Sequence, residues 1–279
     1  RYEEAVLAFA NAKNYKDAKE RIGDPYYQEA EKLLKEELYD KAAESFVKAG
    51  AVDRVGEPYY LQAEQLLREG DYESASKAFA QAGAYQDARA QILEPYYAQA
   101  EKLLKEEQYA EASTAFARAQ SYKDAAERIG EPYYIQAEKS LAAESFEDAA
   151  KYFSKAGDFR DAAERIGEVF YTEAEKLLKE EHYKEASAAF AEAGDYKDAK
   201  ERVLEPYYAE AVKLLKEGKA KEADEAFAKA GDYRDAAQRI GEAYYALALR
   251  QMESGDYDAA SDAFRAAGNF SDARQRILE

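Results

Sequence analysis

A segment of 37 residues, repeated, governs what this chain can fold into. Its clearest copy is residues 95–131, PYYAQAEKLLKEEQYAEASTAFARAQSYKDAAERIGE. Copies open at Pro25, Pro58, Pro95, Pro132, Val169, Pro206 and Ala243, the first 33 residues long and the rest 37. The whole chain is thereby divided into a partial repeat 1–24, a shortened repeat 25–57, and full repeats 58–94, 95–131, 132–168, 169–205, 206–242 and 243–279. A fixed period in this range belongs to arrays in which each unit buries its apolar face on its neighbours. The reading is one all-α solenoid over 1–279, rather than the two globular domains that length alone suggests.

Each repeat encodes about three helices. In helix A, Tyr96, Ala100, Leu103 and Leu104 form one apolar stripe at helical spacing. Pro95 falls in its first turn, where a missing N–H costs nothing. In helix B, Tyr109, Ala112, Phe116 and Ala119 alternate one large ring with small residues, making Phe116 a wedge for close packing. Tyr122, Ala125 and Ile129 mark the buried side of a short helix C. More than about 70% helix and no sheet are expected from this pattern.

The punctuation agrees. All 14 glycines fall at three places: between A and B (Gly70, Gly218, Gly255), after B (six copies, such as Gly83), and after C (Gly23, Gly56, Gly130, Gly167, Gly241). Glycine there permits a left-handed helix stop, and none lies within a proposed helix. Asp71 and Asp256 follow the A–B glycines as N-cap acceptors for helix B. Ser121 and Asp124 resemble a capping box for helix C. Asp124 and Arg128 stand four apart, as do Asp198/Arg202, Asp235/Arg239 and Asp272/Arg276, and read as intrahelical ion pairs of a few tenths of a kcal/mol. The shortened repeat lacks four residues in helix C. That is about one turn, so the buried face is not rotated and a local irregularity is expected at 50–56.

The run Gly70-Asp71-Tyr72, with Ala75, Phe79 and Ala82, resembles the second half of a tetratricopeptide repeat. Tyr59, Ala63 and Leu66 match the aromatic, small and large positions of that family's first helix. The tail departs from the family: a unit of 34 residues usually closes on a proline-containing turn, whereas here G-x-Y-x-D-A-x-x-R-I takes its place, as at Gly194 to Val203. Tails with a Tyr-Lys-Asp run are similar to repeats in many bacterial multi-repeat proteins. The resemblance implies a right-handed solenoid whose concave helix-A surface grips peptides or partner helices, without catalysis.

Charge narrows the partners. With 58 acidic against 40 basic side chains the net charge is −18, which argues against nucleic acid and anionic membranes and favours basic partners. There is no cysteine, and no apolar run approaches the ~20 residues of a membrane span. No signal peptide is read in these residues, but the sequence starts at Arg1 without Met, so a leader removed earlier stays open, as do extracellular and cytoplasmic locations. No phosphate loop, nucleophile elbow or metal-ligand pattern occurs, so no cofactor, metal or enzyme activity is expected. The single histidine, His182, falls in an A–B turn, where solvent exposure is expected.

The paired aromatics at the start of helix A carry the functional potential. Adjacent helical residues point about 100° apart, so the two rings of a pair cannot share one core. The first lies on the stripe and is assigned to the core. The second (Tyr27, Tyr60, Tyr97, Tyr134, Tyr171, Tyr208, Tyr245) is directed at the inner groove or the next repeat, where a ring with a hydroxyl suits peptide or glycan recognition. The alternative is packing between repeats. Glu64, Glu101 and Glu138 complete the candidate groove. Asn269 opens the N-x-S/T triplet of the chain and is a candidate glycosylation site.

Two functions follow. The first is a protein-interaction scaffold binding a basic or aromatic partner through the helix-A groove. The alternative is a structural subunit stacking head to tail into a filament or extracellular fibre, suggested by the partial repeat 1–24 and the lack of polar capping helices.

Overall fold

A computed structural model describes residues 1–277. Helix makes up 72% of the chain, and no strand occurs among the described residues, as the repeat pattern requires. By its internal contacts the chain divides into two bodies, residues 1–135 and 136 onward.

The first body opens with α1 (Tyr2–Asn11), the helix B of the partial repeat. The shortened repeat supplies α2 (Asp24–Lys35), α3 (Tyr39–Ala49) and a 3-10 turn at Val52–Arg54. Next come α4 (Glu57–Glu69), α5 (Tyr72–Ala82) and α6 (Ala88–Gln91). Then follow α7 (Glu94–Lys105), α8 (Tyr109–Ala119) and the start of α9 (Glu131–Ala142). In the second body α10 (Phe146–Ala156), α11 (Ala162–Lys179) and α12 (Tyr183–Glu192) precede α13 (Ala199–Arg202), α14 (Glu205–Lys216) and α15 (Ala220–Ala230). The chain continues as α16 (Ala236–Ser254), α17 (Tyr257–Ala267) and α18 (Ala273–Arg276).

Within each body a helix A pairs with the following helix B, which also packs on the next helix A. The core repeats with the sequence. Helix A contributes one fully buried alanine per repeat (Ala63, Ala100, Ala174, Ala211), and helix B one buried ring (Phe79, Phe116, Phe190, Phe227). Alanine lets the helices approach closely, and the phenylalanine fills the space between them. The expected caps form at Asp71, which accepts from the Ser74 N–H at 3.2 Å, and at Asp256, which accepts from the Ala259 N–H at 3.2 Å.

Helix C is not the uniform third helix the sequence suggests. It is a series of turns over 121–130, one 3-10 turn in the shortened repeat, and a four-residue helix in α6, α13 and α18. In α11 and α16 it runs without a break into the next helix A. Those two helices contain Val169 and Ala243, where the other full repeats have proline. Proline lacks the N–H needed to continue a helix and disfavours α-helical backbone in the residue before it. Where proline is absent, the helix runs through.

Two glycines, Gly167 and Gly241, therefore lie inside helices, contrary to the expectation that every glycine is punctuation. Their role is close approach. A Cβ on Gly167 would stand 2.8 Å from the Tyr196 Cβ and 3.0 Å from the Ala193 carbonyl oxygen. The A–B turn does require left-handed backbone: Gly70, Gly218 and Gly255 have φ of 78° to 82°, while Glu37, Glu107, Glu144 and Glu181 adopt φ of 56° to 64° at the same place.

Candidate functional site

The side chain that ties each repeat together is the arginine of the tail. Arg128 donates from Nε to Glu131 at 2.6 Å and from Nη1 to the Tyr97 hydroxyl at 2.7 Å and to Glu101 at 3.2 Å. Its guanidinium lies 4.5 Å from the Phe116 ring centroid. Arg202 repeats this with Glu205 (2.6 Å), Tyr171 (2.6 Å), Glu175 (2.9 Å) and Phe190 (4.5 Å). Arg54 reaches Tyr27, Glu57 and Glu31, although the deletion leaves it 27 residues from its tyrosine instead of 31. Removing one turn preserved the geometry. Burial opposes the charge on all three guanidiniums, yet their hydrogen bonds to two glutamates and a tyrosine together raise the pKa.

The intrahelical reading of the Asp–Arg pairs is thus displaced where helix A carries a glutamate. Asp124 stands 4.0 Å from Arg128, a longer contact than any of the three partners above. It survives at Asp235–Arg239 (3.1 Å) and Asp272–Arg276 (3.0 Å). In those two repeats Val212 and Leu249 replace the helix-A glutamate. The wider role was signalled by Arg-x-x-Glu at every tail from Arg54 to Arg239 that keeps the arginine, and by the constant spacing of Arg128 and Arg202 from their tyrosines.

The capping box at Ser121 and Asp124 does not form, because no regular helix starts there. Asp124 instead accepts from the Tyr97 hydroxyl at 2.6 Å, and Asp198 from Tyr171 at 2.7 Å. Those tyrosine bonds hold both carboxyls below the usual range. Asp87 accepts from Tyr60 at 2.9 Å, and the Tyr60 phenol is pushed up to about 12, chiefly by burial and then by this bond.

In the repeats opening at Pro95, Pro132 and Val169 the assignment of the two rings is reversed, and in the others both rings are partly buried. Tyr97, Tyr134 and Tyr171 are buried, and Tyr27, Tyr60, Tyr208 and Tyr245 are partly so; the first-position Tyr96 and Tyr133 are only partly buried. Tyr97 packs edge-on against Phe116 at 5.7 Å and Tyr122 at 5.7 Å, and Tyr171 does the same with Phe190 and Tyr196. Periodicity within helix A does not register the tail ring that packs against it. The tail ring also covers helix A and draws the second tyrosine inward. Lys123 and Lys197, at φ of 50° and 49°, each place an ammonium 5.0 Å from the buried tyrosine's centroid.

Of the three candidate acids, Glu101 is engaged by Arg128 and Glu138 lies 3.6 Å from Arg165. Glu64 has no such partner, since Gln91 stands where its arginine would be. His182 is exposed, 3.7 Å from Glu180. Asn269 is exposed in the turn after α17. Among the described residues no three potential metal-ligating side chains gather, and no helix is long and apolar enough to cross a membrane.

Open clefts lie between helices. One of about 320 Å³ is lined by Gln99 and Leu103 of α7 with Glu111, Thr114 and Arg118 of α8. A larger one, about 480 Å³, lies where Tyr183 at the start of α12 meets Tyr208, Val212 and Lys216 of α14, with Arg234 at its edge.

No protein family matches the sequence, and no curated protein does. Among solved structures, the chain is similar to the C-terminal part of a TPR repeat-containing protein from Cytophaga hutchinsonii. They share 17% identity over 90% of this chain and 99% of that one, with a TM-score of 0.21. Neither the identity nor the TM-score supports a functional argument.

Proposed function

We propose that the chain is a non-catalytic scaffold that binds protein partners along the exposed face of its A helices. The carrying observation is a constant interior beneath a varied exterior. The buried alanine and phenylalanine and the inward tyrosine recur from repeat to repeat, while the residue after the second aromatic varies: Gln28, Leu61, Ala98, Ile135, Thr172, Ala209, Ala246. None of these is buried, and Leu61 is 37% exposed. Positions outside the core that differ in polarity from repeat to repeat, exposed at Gln28, Leu61 and Thr172 and partly so elsewhere, supply the composition that recognition uses. The second tyrosines act in this reading by fixing helix A, not by touching a ligand. Glu64, which has no basic partner, is the groove acid most open to a cationic group.

Selection of a random peptide display library on the folded chain tests this. Enriched peptides should be basic or aromatic, and Leu61→Lys or Glu64→Lys should weaken them at least tenfold. Binding indifferent to both substitutions would sink the reading. Light scattering across a concentration series addresses the filament alternative in the same samples: a mass fixed at 31.4 kDa excludes self-stacking.

A further inference from the structure

We propose that the paired rings of Tyr60 and Tyr85 take a lysine side chain from a partner peptide, in the place where other repeats seat a cation of their own. This rests on the scaffold reading and names the group that one repeat binds.

The sister repeats show the occupant. In the repeat at 95–131 the rings of Tyr97 and Tyr122 lie 5.7 Å apart at 63°, and the Lys123 ammonium stands 5.0 Å from one and 5.1 Å from the other. Tyr171 and Tyr196 hold Lys197 at 5.0 Å from each ring. Arg234 takes the same place against Tyr208 and Tyr233. Tyr60 and Tyr85 form the same pair, 5.9 Å apart at 61°. The residue in the place of the lysine is Gln86, whose backbone has the same left-handed turn, φ 45° against 50° at Lys123. No cation stands over either ring among the described residues. Gln86 is exposed, and both rings are only partly buried.

The second cation of this repeat is missing too. Gln91 stands where the next repeat has Arg128, while the acids have stayed. Around Tyr97, the positions of Asp124, Glu101 and Glu131 are matched by Lys123 and Arg128; around Tyr60, those of Asp87, Glu64 and Glu94 are matched by two glutamines. Asp87 accepts only from neutral donors, Tyr60 at 2.9 Å and Gln91 at 2.9 Å. Glu64 forms no ion pair among the described residues, and Glu94 has the Tyr122 phenol beside it but no cation. Burial first, and then Asp87, Glu64 and Glu94, push the Tyr60 phenol up to about 12, whereas at Tyr97 Arg128 opposes the rise that burial and Asp124 cause. Arg89, the cation within this tail, forms no ion pair among the described residues. At the same place in the repeat at 169–205, Lys200 pairs with Asp195 and not with the tail aspartate Asp198.

An ammonium over both ring faces gains from each quadrupole, while Asp87 and Glu64 supply the counter-charge. The last repeat also lacks the lysine, having Ser271, but there Arg276 holds Asp272 at 3.0 Å and Leu249 replaces the glutamate. The pairing of vacant rings with uncompensated acids therefore belongs to the repeat at 58–94.

The test uses the full chain and the peptide acetyl-Gly-Ser-Lys-Ser-Gly-amide, followed by NMR. A side chain seated over ring faces is shielded, so the lysine CεH2 protons should move upfield and saturate. Gln86→Lys installs the cation that Lys123 and Lys197 supply elsewhere, on a backbone those lysines already adopt, so the variant should keep the parent's helix content and lose the shift. Gln81→Lys adds the same charge in the same repeat, where sister repeats carry Arg118 and Lys155, and should keep binding within about twofold. Tyr85→Leu should weaken binding about tenfold. A peptide with glutamine for lysine should not compete. No saturable upfield shift, or a shift that persists in folded Gln86→Lys, overturns the inference. Equal losses in Gln86→Lys and Gln81→Lys would reduce the binding to general attraction by an acidic chain and overturn it as well. If the lysine peptide fails while selected peptides still depend on Leu61, this assignment falls and the scaffold reading stands.

Discussion

The Arg128 guanidinium donates to the Tyr97 hydroxyl at 2.7 Å although 31 residues separate them. The same side chain holds Glu101 on α7 and Glu131 at the start of α9, so one residue joins three segments of the chain. Arg128→Ala should cost about 2–4 kcal/mol, because it leaves two carboxylates without their cation in a partly buried site and takes from the Tyr97 hydroxyl the bond it accepts. Arg128→Lys retains the charge but not the fork and should recover only part of that. Arg276→Ala, at an exposed pair confined to one segment, should cost under about 1 kcal/mol. Urea denaturation of the three variants gives the ordering, and equal losses would remove the clamp from the account.

Proline content sets where helices break. Val169 is fully buried at a position that Pro58, Pro95, Pro132 and Pro206 occupy equally buried. Val169→Pro should therefore split α11 into a short tail and a helix A at a cost of about 1 kcal/mol or less, since the site already accepts a pyrrolidine ring elsewhere. Thr172→Pro, one turn later in the same helix, should cost about 3 kcal/mol or more. Thermal unfolding separates the two. Comparable losses would mean that the helix break has another origin.

Much of this was legible from the period alone. The A and B helices, the buried alanines and the phenylalanine wedge follow from spacing within one repeat. So does the tolerance of the four-residue deletion, which Arg54 confirms by reaching Tyr27. The tail was harder to read because its conformation depends on the residue that opens the following repeat. The arginine hub and the inward second tyrosine depend on contacts between segments some 30 residues apart, which helical periodicity does not register. Repetition itself held the clue, in the fixed Tyr97-to-Arg128 and Tyr171-to-Arg202 spacing.

The reversed tyrosines give a direct comparison. Tyr97 is 7% exposed and packs against two rings, whereas Tyr96 is partly exposed. Tyr97→Ala should cost about 3–5 kcal/mol, by analogy with other large aromatic truncations. Tyr96→Ala should cost about 1–2 kcal/mol, having less area to lose. The opposite order, measured as a shift in the denaturation midpoint at constant slope, would restore the first ring to the core.

Left-handed turns provide a contrast free of packing. Gly255 has φ of 81°, and nothing stands within 4 Å of where a Cβ would project. Gly255→Ala should cost about 1–2 kcal/mol from backbone strain alone. Gly167→Ala has ordinary helical φ but meets Tyr196 and the Ala193 carbonyl, and its cost should be steric, about 1–3 kcal/mol. Pairing Gly167→Ala with a reduced neighbour, Tyr196→Ala, should recover less stability than the tyrosine's own loss removes. The Ala193 carbonyl and Tyr196 Cβ contacts both persist in the pair, since alanine keeps its Cβ. Complete rescue would assign the clash to the ring alone.

The tyrosine–aspartate bonds make stability depend on pH at both ends. Hydrogen bonds from Tyr97, Tyr171, Tyr208 and Tyr245 lower the pKa values of Asp124, Asp198, Asp235 and Asp272. A carboxyl lowered on folding contributes fully above its unfolded value, about 3.9, and loses that contribution as pH falls through the folded value. The phenols shift the other way. Tyr60, raised to about 12, contributes fully below its unfolded value of about 10 and loses that contribution as pH rises towards 12. The melting temperature should therefore be flat from about pH 5 to 9 as far as these groups are concerned, falling on either side. Tyr97→Phe removes the hydroxyl that donates to Asp124 and accepts from Arg128, and of these two bonds only the one to Asp124 depends on a group that titrates in acid. The gap between parent and variant should be widest on the plateau and shrink below about pH 4 as Asp124 takes up a proton. A gap that stays constant through acid would show that the Tyr97 hydroxyl stabilises the fold without its carboxylate partner.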